Sequence, residues 1–282
     1  MEPVILENSL LRLTLYPEKG GKIASLLALP EGTEFVAQSS HPTSGRLKEG
    51  MAFEEGEAAG LDDVFPSMGE DACEGLWGKQ PDHGWVWTSG MECRKAGKEE
   101  AVLHVEHDGW DYEKRVSVQK NEVMLNWRIR NMSDRERPWV WVFHGLWKWA
   151  EDTVFFFPDG NVMDVLDAGE KTVPFPVCPK DGGMAKYYWK ERVKEGRCGF
   201  ILPREKLRLT LTFDPQELPY LGFWITNGGW HGDRNFAFEP ATGLYDTLAR
   251  ARRSGTLKIM KPEEETGFSI RLSISRENES SI

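Results

Sequence analysis

The chain has 282 residues, with 45 Asp and Glu against 35 Lys and Arg, and a formal net charge of −10. That balance, with no run of basic residues, argues against a nucleic-acid partner, whose binding rests on Lys and Arg neutralising phosphates, and favours a neutral small molecule. Hydrophobic residues make up 40% of the chain, and 12 Trp, 14 Phe and 6 Tyr can both fill a core and offer rings for stacking.

The N-terminus, Met1-Glu2-Pro3-Val4, does not read as a secretory leader, and no apolar run reaches the length of a membrane span. Leu11, Leu13 and Leu15 alternate with Arg12 and Thr14 and lead into Gly20-Gly21-Lys22-Ile23-Ala24-Ser25-Leu26. Residues 42–74 are the least regular stretch, rich in Gly and acids, and read as loops covering one end of a sheet. Val116 and Val118, a polar turn at Gln119 to Asn121, and then Val123, Leu125, Trp127 and Ile129 form a hairpin signature. Leu207, Leu209 and Leu211 repeat the pattern, as do Phe268, Ile270, Leu272 and Ile274. Only short helical pieces fit, near Pro215 to Leu218 and Gly243 to Arg253. Many short strands without helical crossovers predict an all-β antiparallel sandwich or barrel, most simply a single domain over 1–282. The cysteines Cys73, Cys93, Cys178 and Cys198 form no CxxC pair and read as reduced thiols, so a cytoplasmic protein is expected.

Three polar residues stand in apolar settings where an ionisable group is costly to bury. They are His83 in Pro81-Asp82-His83-Gly84-Trp85, His144 in Trp141-Val142-Phe143-His144-Gly145-Leu146-Trp147, and Glu239 in Phe236-Ala237-Phe238-Glu239-Pro240. Two imidazoles and a carboxylate can move protons on a neutral substrate. On a strand, Glu239 shares a face with Ala237, opposite Phe236 and Phe238. His144 shares a face with Val140, Val142 and Leu146, opposite Trp139, Trp141, Phe143 and Trp147, in a strand apolar on both faces and therefore central. His83 on a strand would lie beside Trp85 and Trp87. Each has a plain structural alternative: a surface Glu at a turn, a core histidine bonded to a carbonyl, an ordinary aromatic cluster.

Other chemistries fit less well. His104 and His107 are three residues apart and on a strand point to opposite faces, so they cannot share an ion, and no metal site is expected. No phosphate loop, dinucleotide fingerprint or G-x-S-x-G elbow occurs.

Taken together, Gly20 to Leu26, His83-Gly84, His144-x-Leu146-Trp147 and Glu239-Pro240-Ala241-Thr242-Gly243 give the chain a resemblance to the aldose 1-epimerase (galactose mutarotase-like) superfamily along nearly its whole length. The resemblance implies a β-supersandwich and a cofactor-independent interconversion of sugar anomers. Glu239 would be the general base at the anomeric hydroxyl, His144 the acid at the ring oxygen, and His83 a hydrogen-bonding partner, all without extreme pKa shifts. The chain departs from the family after His83-Gly84, where Trp85-Val86-Trp87 replaces Phe-Ala-Arg. The usual Asn-Arg pair is replaced by Gly60-Leu61-Asp62-Asp63-Val64-Phe65-Pro66, where Asp62 or Asp63 would meet sugar hydroxyls or be solvated loop acids. Trp230 is the indole best placed to stack on a pyranose, whereas Trp127 and Trp139 read as core. Alternatives are a non-catalytic carbohydrate-binding protein on the same scaffold, or a hexose-phosphate mutarotase, for which Arg46, Lys48 and Arg94 are only scattered basic candidates. The sequence leaves the sugar and the oligomeric state open.

Overall fold

The computed structural model describes residues 2–40, 47–56, 59–73, 78–166, 171–244 and 246–277. Two large antiparallel sheets carry nearly all of the regular structure. The first has 11 strands, and its middle runs laterally as Lys22–Ala28, Leu61–Val64, Val142–Lys148, Asp233–Ala241, Tyr220–Trp230 and Gly183–Trp189. The second has eight strands, centred on Leu207–Phe213, Glu265–Arg276, Glu122–Asn131, Trp110–Gln119 and Glu100–His107.

Period-two alternation builds both sheets, because successive side chains leave a strand on opposite faces. Leu11, Leu13 and Leu15 are buried while Arg12 is exposed, and Leu207, Leu209 and Leu211 are buried with intermediate partners between them. The hairpin Trp110–Gln119/Glu122–Asn131 turns at Lys120, with φ 51°. The inner faces meet in one aromatic core: Trp147 lies 5.8 Å from Phe200 and Phe143 6.2 Å from Trp127, ring centre to ring centre. Such pairs add about 0.5–1.5 kcal/mol each beyond their area burial.

The opposite face of the first sheet positions the site. There Val64, Val142, Tyr188 and Ala241 form one small apolar cluster, and Phe53, Trp87, Leu146 and Ala237 form another. Helix Leu248–Arg253, capped by the Thr247 hydroxyl, adds Leu248 and Ala251 to the first cluster. Among the described residues, no helix is long and apolar enough to cross a membrane.

Two local expectations change. Residues 61–64 are not a loop but a strand between Lys22–Ala28 and Val142–Lys148, with Leu61 and Val64 fully buried. Adjacent aspartates disguise it, and buried lysines neutralise both of them. His83 is not on a strand. It sits in a turn with φ 58°, followed by Gly84 with φ 68° and a 3-10 helix, Val86–Thr88. A Cβ at Gly84 would fall 1.9 Å from the Phe65 carbonyl oxygen, so only glycine fits after this histidine.

Candidate active site

His144, Glu239 and Lys186 rise from three strands of the first sheet onto its outer face. The pairings Val142↔Ala241 and Gly145↔Phe238 bracket His144 and Glu239, and place the two side chains next to each other. His144 Nε2 lies 3.8 Å from Glu239 Oε1. The other carboxylate oxygen, Oε2, receives the Lys186 ammonium. Lys186 and Glu239 are not on neighbouring strands; Tyr220–Trp230 lies between them. Lys186 reaches across it diagonally, past Gly222, which stands opposite Glu239 on one side and Tyr188 on the other and where a Cβ would lie 2.6 Å from Oε2.

All three side chains are nearly fully buried. Burial pushes the His144 imidazole well below its ordinary pKa, and electrostatic interaction with His83, Lys186 and Lys22 pushes it the same way. At neutral pH His144 is therefore a neutral imidazole, which corrects the expectation of an unshifted acid. Glu239 Oε1 and His144 Nδ1 are buried and have no hydrogen-bond partner. Orphaned buried polar atoms cost about 1–3 kcal/mol each, and the two oxygens of Asp62, opposite His144 on the neighbouring strand, are in the same state.

His83 faces them from the covering loops. Its ring centre is 5.1 Å from that of His144, and Phe53 stacks on it at 4.0 Å and 14°. Asp82 Oδ1 lies 2.8 Å from His83 Nδ1, which fixes the ring and leaves Nε2 for the cavity. Burial alone would raise the Asp82 pKa, but its bonds with His83 and the Phe53 N–H hold it below the ordinary value. Trp230 lies parallel to Phe53 at 6.2 Å. His83, His144, Lys186, Phe53 and Trp230 all line one cavity of about 400 Å³, within the size range of small-molecule sites. The fold thus gathers His83, His144 and Trp230 on the cavity wall, with Glu239 behind it, against His144 and Lys186.

Asp62 and Asp63 fare differently. Asp63 points into the inter-sheet core, fully buried, where Lys114 (3.0 Å), Tyr112 (3.0 Å) and Trp127 (2.8 Å) all donate to it. No sugar hydroxyl reaches it, and it is a core anchor instead. Asp62 shares the outer face with His144, opposite it in the ladder, and lies 3.1 Å from Lys22 Nζ without lining the cavity. Burial raises the Asp62 pKa against the pull of Lys22. Trp85 and Trp87 form no platform under His83: Trp85 packs on His107 and Phe65, and the Trp87 indole donates to the Asp82 carbonyl. Trp127 and Trp139 are core.

Lys186 and Phe53 were not legible as site residues. Lys186 had a signal, a charge inside Ala185-Lys186-Tyr187-Tyr188-Trp189, the same apolar setting that marks His144 and Glu239. Phe53 had none, standing alone in an acidic stretch.

Elsewhere, His104 is buried against Asp111 at 3.2 Å, and His104, Glu106 and Asp111 come within 4.8 Å of one another. Arg128 already supplies a cation to Asp111 at 2.9 Å, so this group is compensated without an ion. Arg94 ion-pairs with Glu92 on the outermost strand of the second sheet, and neither it nor Lys48 lines the cavity. Arg46 lies outside the described residues.

The architecture defines a class, the two-sheet antiparallel β-sandwich with a site on the outer face of one sheet, and comparison with solved structures makes it specific. The Slr1438 protein of Synechocystis sp. PCC 6803 superposes with a TM-score of 0.80 at 18% identity, over 98% of this chain and 96% of its own. A candidate aldose 1-epimerase of Escherichia coli K12 gives 0.78 at 14%, over 98% and 99%. A galactose mutarotase-like protein of Lactobacillus casei gives 0.70 at 12%, over 97% and 100%. The chain therefore has the galactose mutarotase-like fold. No protein-family model matches it, and no curated protein is similar to it.

Proposed function

We propose that the protein is a cofactor-independent aldose 1-epimerase that interconverts the anomers of a free sugar. One observation carries the reading: Glu239 Oε1 and the His144 imidazole, both buried and short of partners, stand 3.8 Å apart beside a sugar-sized cavity rimmed by aromatic rings. Glu239 takes the proton from the anomeric hydroxyl and a proton is delivered to the ring oxygen, so the hemiacetal opens to an aldehyde. The aldehyde rotates about one bond, and the ring closes on its other face by the reverse transfers. A neutral His144 serves this as a relay: one ring nitrogen gives its proton to the ring oxygen while the other accepts the proton held by Glu239. The net change moves one proton between two oxygens of the same sugar, so the reaction balances without a cofactor. His83, fixed by Asp82, hydrogen-bonds the ring oxygen or a neighbouring hydroxyl, and Trp230 meets an apolar face of the ring.

The carboxylates Glu54, Asp82 and Asp246 on the lining favour a neutral sugar over a phosphorylated one. We place the whole chain in one functional unit, with a small carbohydrate as partner rather than nucleic acid or membrane. A cytoplasmic location accords with the free thiols of Cys93, Cys178 and Cys198. The test is polarimetry on a panel of freshly dissolved aldoses. The wild type accelerates equilibration of at least one, and Glu239→Gln loses about 100-fold to 10,000-fold of that acceleration. Equal rates for both proteins on every sugar that binds reduce the protein to a carbohydrate-binding module.

A further inference from the structure

Lys186 is the group in the cavity that the epimerase reading leaves unused. Its ammonium is buried, sits 5.3 Å over the Tyr188 ring, and is held on Glu239 Oε2. Tyr188 in turn donates to Asp246, another lining residue. Purely structural stability would be served at least as well by an apolar pair on these strands, because desolvating two charges costs about as much as their attraction returns. The pair is also asymmetric. Oε2 is occupied and Oε1 is bare, and Oε1 is the oxygen beside His144.

We propose that Lys186 is a positioning residue for Glu239 in the reaction above, and the inference rests on that reading. By occupying Oε2, the ammonium fixes the carboxylate rotation, so that Oε1 alone is presented to the anomeric hydroxyl. Its charge acts in the same direction. In the resting site the pair is neutral overall. While Glu239 holds the proton, before His144 takes it on, the positive charge of Lys186 is no longer balanced, at the moment when negative charge develops on a sugar oxygen. A fixed cation uncovered only then stabilises the transition state more than the ground state. Gly222 belongs to the same device, because a Cβ there would lie 2.6 Å from Oε2, the oxygen that Lys186 holds.

The experiment measures kcat and KM for mutarotation on the best sugar of the panel, for wild type, Lys186→Met, Glu239→Gln and the double variant. Misplacing a reacting group by about an ångström costs on the order of 100-fold, and that is the loss expected in kcat for Lys186→Met, with KM little changed. On the Glu239→Gln background, Lys186→Met costs nothing further, because the carboxylate it positions is gone. The double variant removes both charges together and keeps the fold, so this comparison stands even if Lys186→Met alone does not fold. Three results overturn the proposal: wild-type kcat in Lys186→Met, a loss confined to KM, or a further loss in the double variant beyond Glu239→Gln. A Glu239→Gln protein with wild-type kcat defeats the epimerase reading itself. Loss in Glu239→Gln with none in Lys186→Met defeats only the role of Lys186.

Discussion

Replacing Asp63 by Leu tests whether this aspartate is an anchor of the core. Its carboxylate and the Lys114 ammonium are both fully buried, 3.0 Å apart, with Tyr112 and Trp127 donating to the same carboxylate. Removing it strands a buried cation together with two neutral donors. Lys114 keeps two weak partners, the Gly21 carbonyl at 3.2 Å and the Trp127 ring at 5.7 Å. Breaking a buried pair from one side costs about 3–5 kcal/mol. At about 1.4 kcal/mol per factor of ten, that is a hundredfold to several thousandfold in the folding equilibrium. Urea unfolding followed by tryptophan fluorescence reads the change directly. The companion variant Asp63→Leu/Lys114→Met removes both charges, and it recovers most of the loss because apolar residues of similar volume replace a buried pair at little cost. Sugar binding by the folded fraction is unchanged, since Asp63 faces away from the cavity. A loss below about 1 kcal/mol in Asp63→Leu, typical of a surface change, refutes the assignment, and so does a double variant as unstable as the single.

Two further predictions concern the site. The His144 pKa lies well below its ordinary value of 6.5, so below that pH the unfolded chain binds a proton that the folded chain refuses. Stability therefore falls as pH drops below 6.5, with a limiting slope of about 1.4 kcal/mol per pH unit from this residue. His144→Asn removes that component, which unfolding midpoints at two acidic pH values and one neutral value measure; identical pH dependence in the two proteins contradicts it. For Gly222→Ala, the added methyl would lie 2.6 Å from Glu239 Oε2 and 3.2 Å from the Tyr188 ring. It displaces Glu239 from Lys186 and lowers kcat about 100-fold, while overpacking costs about 1–3 kcal/mol. Polarimetry and thermal melting on one preparation separate the two effects, and unchanged turnover would exclude the displacement.

The fold was legible wherever strands were long enough for alternation to count. Trp139, Trp141, Phe143 and Trp147 fall on the core side and Val140, Val142 and Leu146 on the other, as period two requires. The same rule put His144 and Glu239 each opposite its aromatic neighbours, and strand pairing makes those two faces one. It failed on short elements. Leu61–Val64 spans four residues, too few to show a period, and its two aspartates read as a loop because the lysines that neutralise them are far away in the sequence. His83 was misplaced for a different reason. Trp85 and Trp87 suggested a strand face, whereas positive φ at His83 and Gly84 is a backbone property that Gly84 only hinted at. The stacking of Phe53 on His83 is purely tertiary, and no local pattern announces it.

The first sheet carries compensated buried charges on both faces, and the difference between them separates structure from chemistry. On the inner face Asp63 receives hydrogen bonds from three donors, among them the buried Lys114. On the outer face Lys186 satisfies only one oxygen of Glu239, and the other stays bare beside an imidazole with a bare nitrogen. Both pairs bear the cost of desolvation, but only the first recovers it within the chain. Gly222, where a Cβ would lie 2.6 Å from Oε2, leaves room for the Glu239 carboxylate as it stands. In the proposed reaction the unsatisfied half of the outer pair is the part that a hydroxyl from outside completes, and a neutral sugar supplies hydroxyls without adding a charge to the cavity.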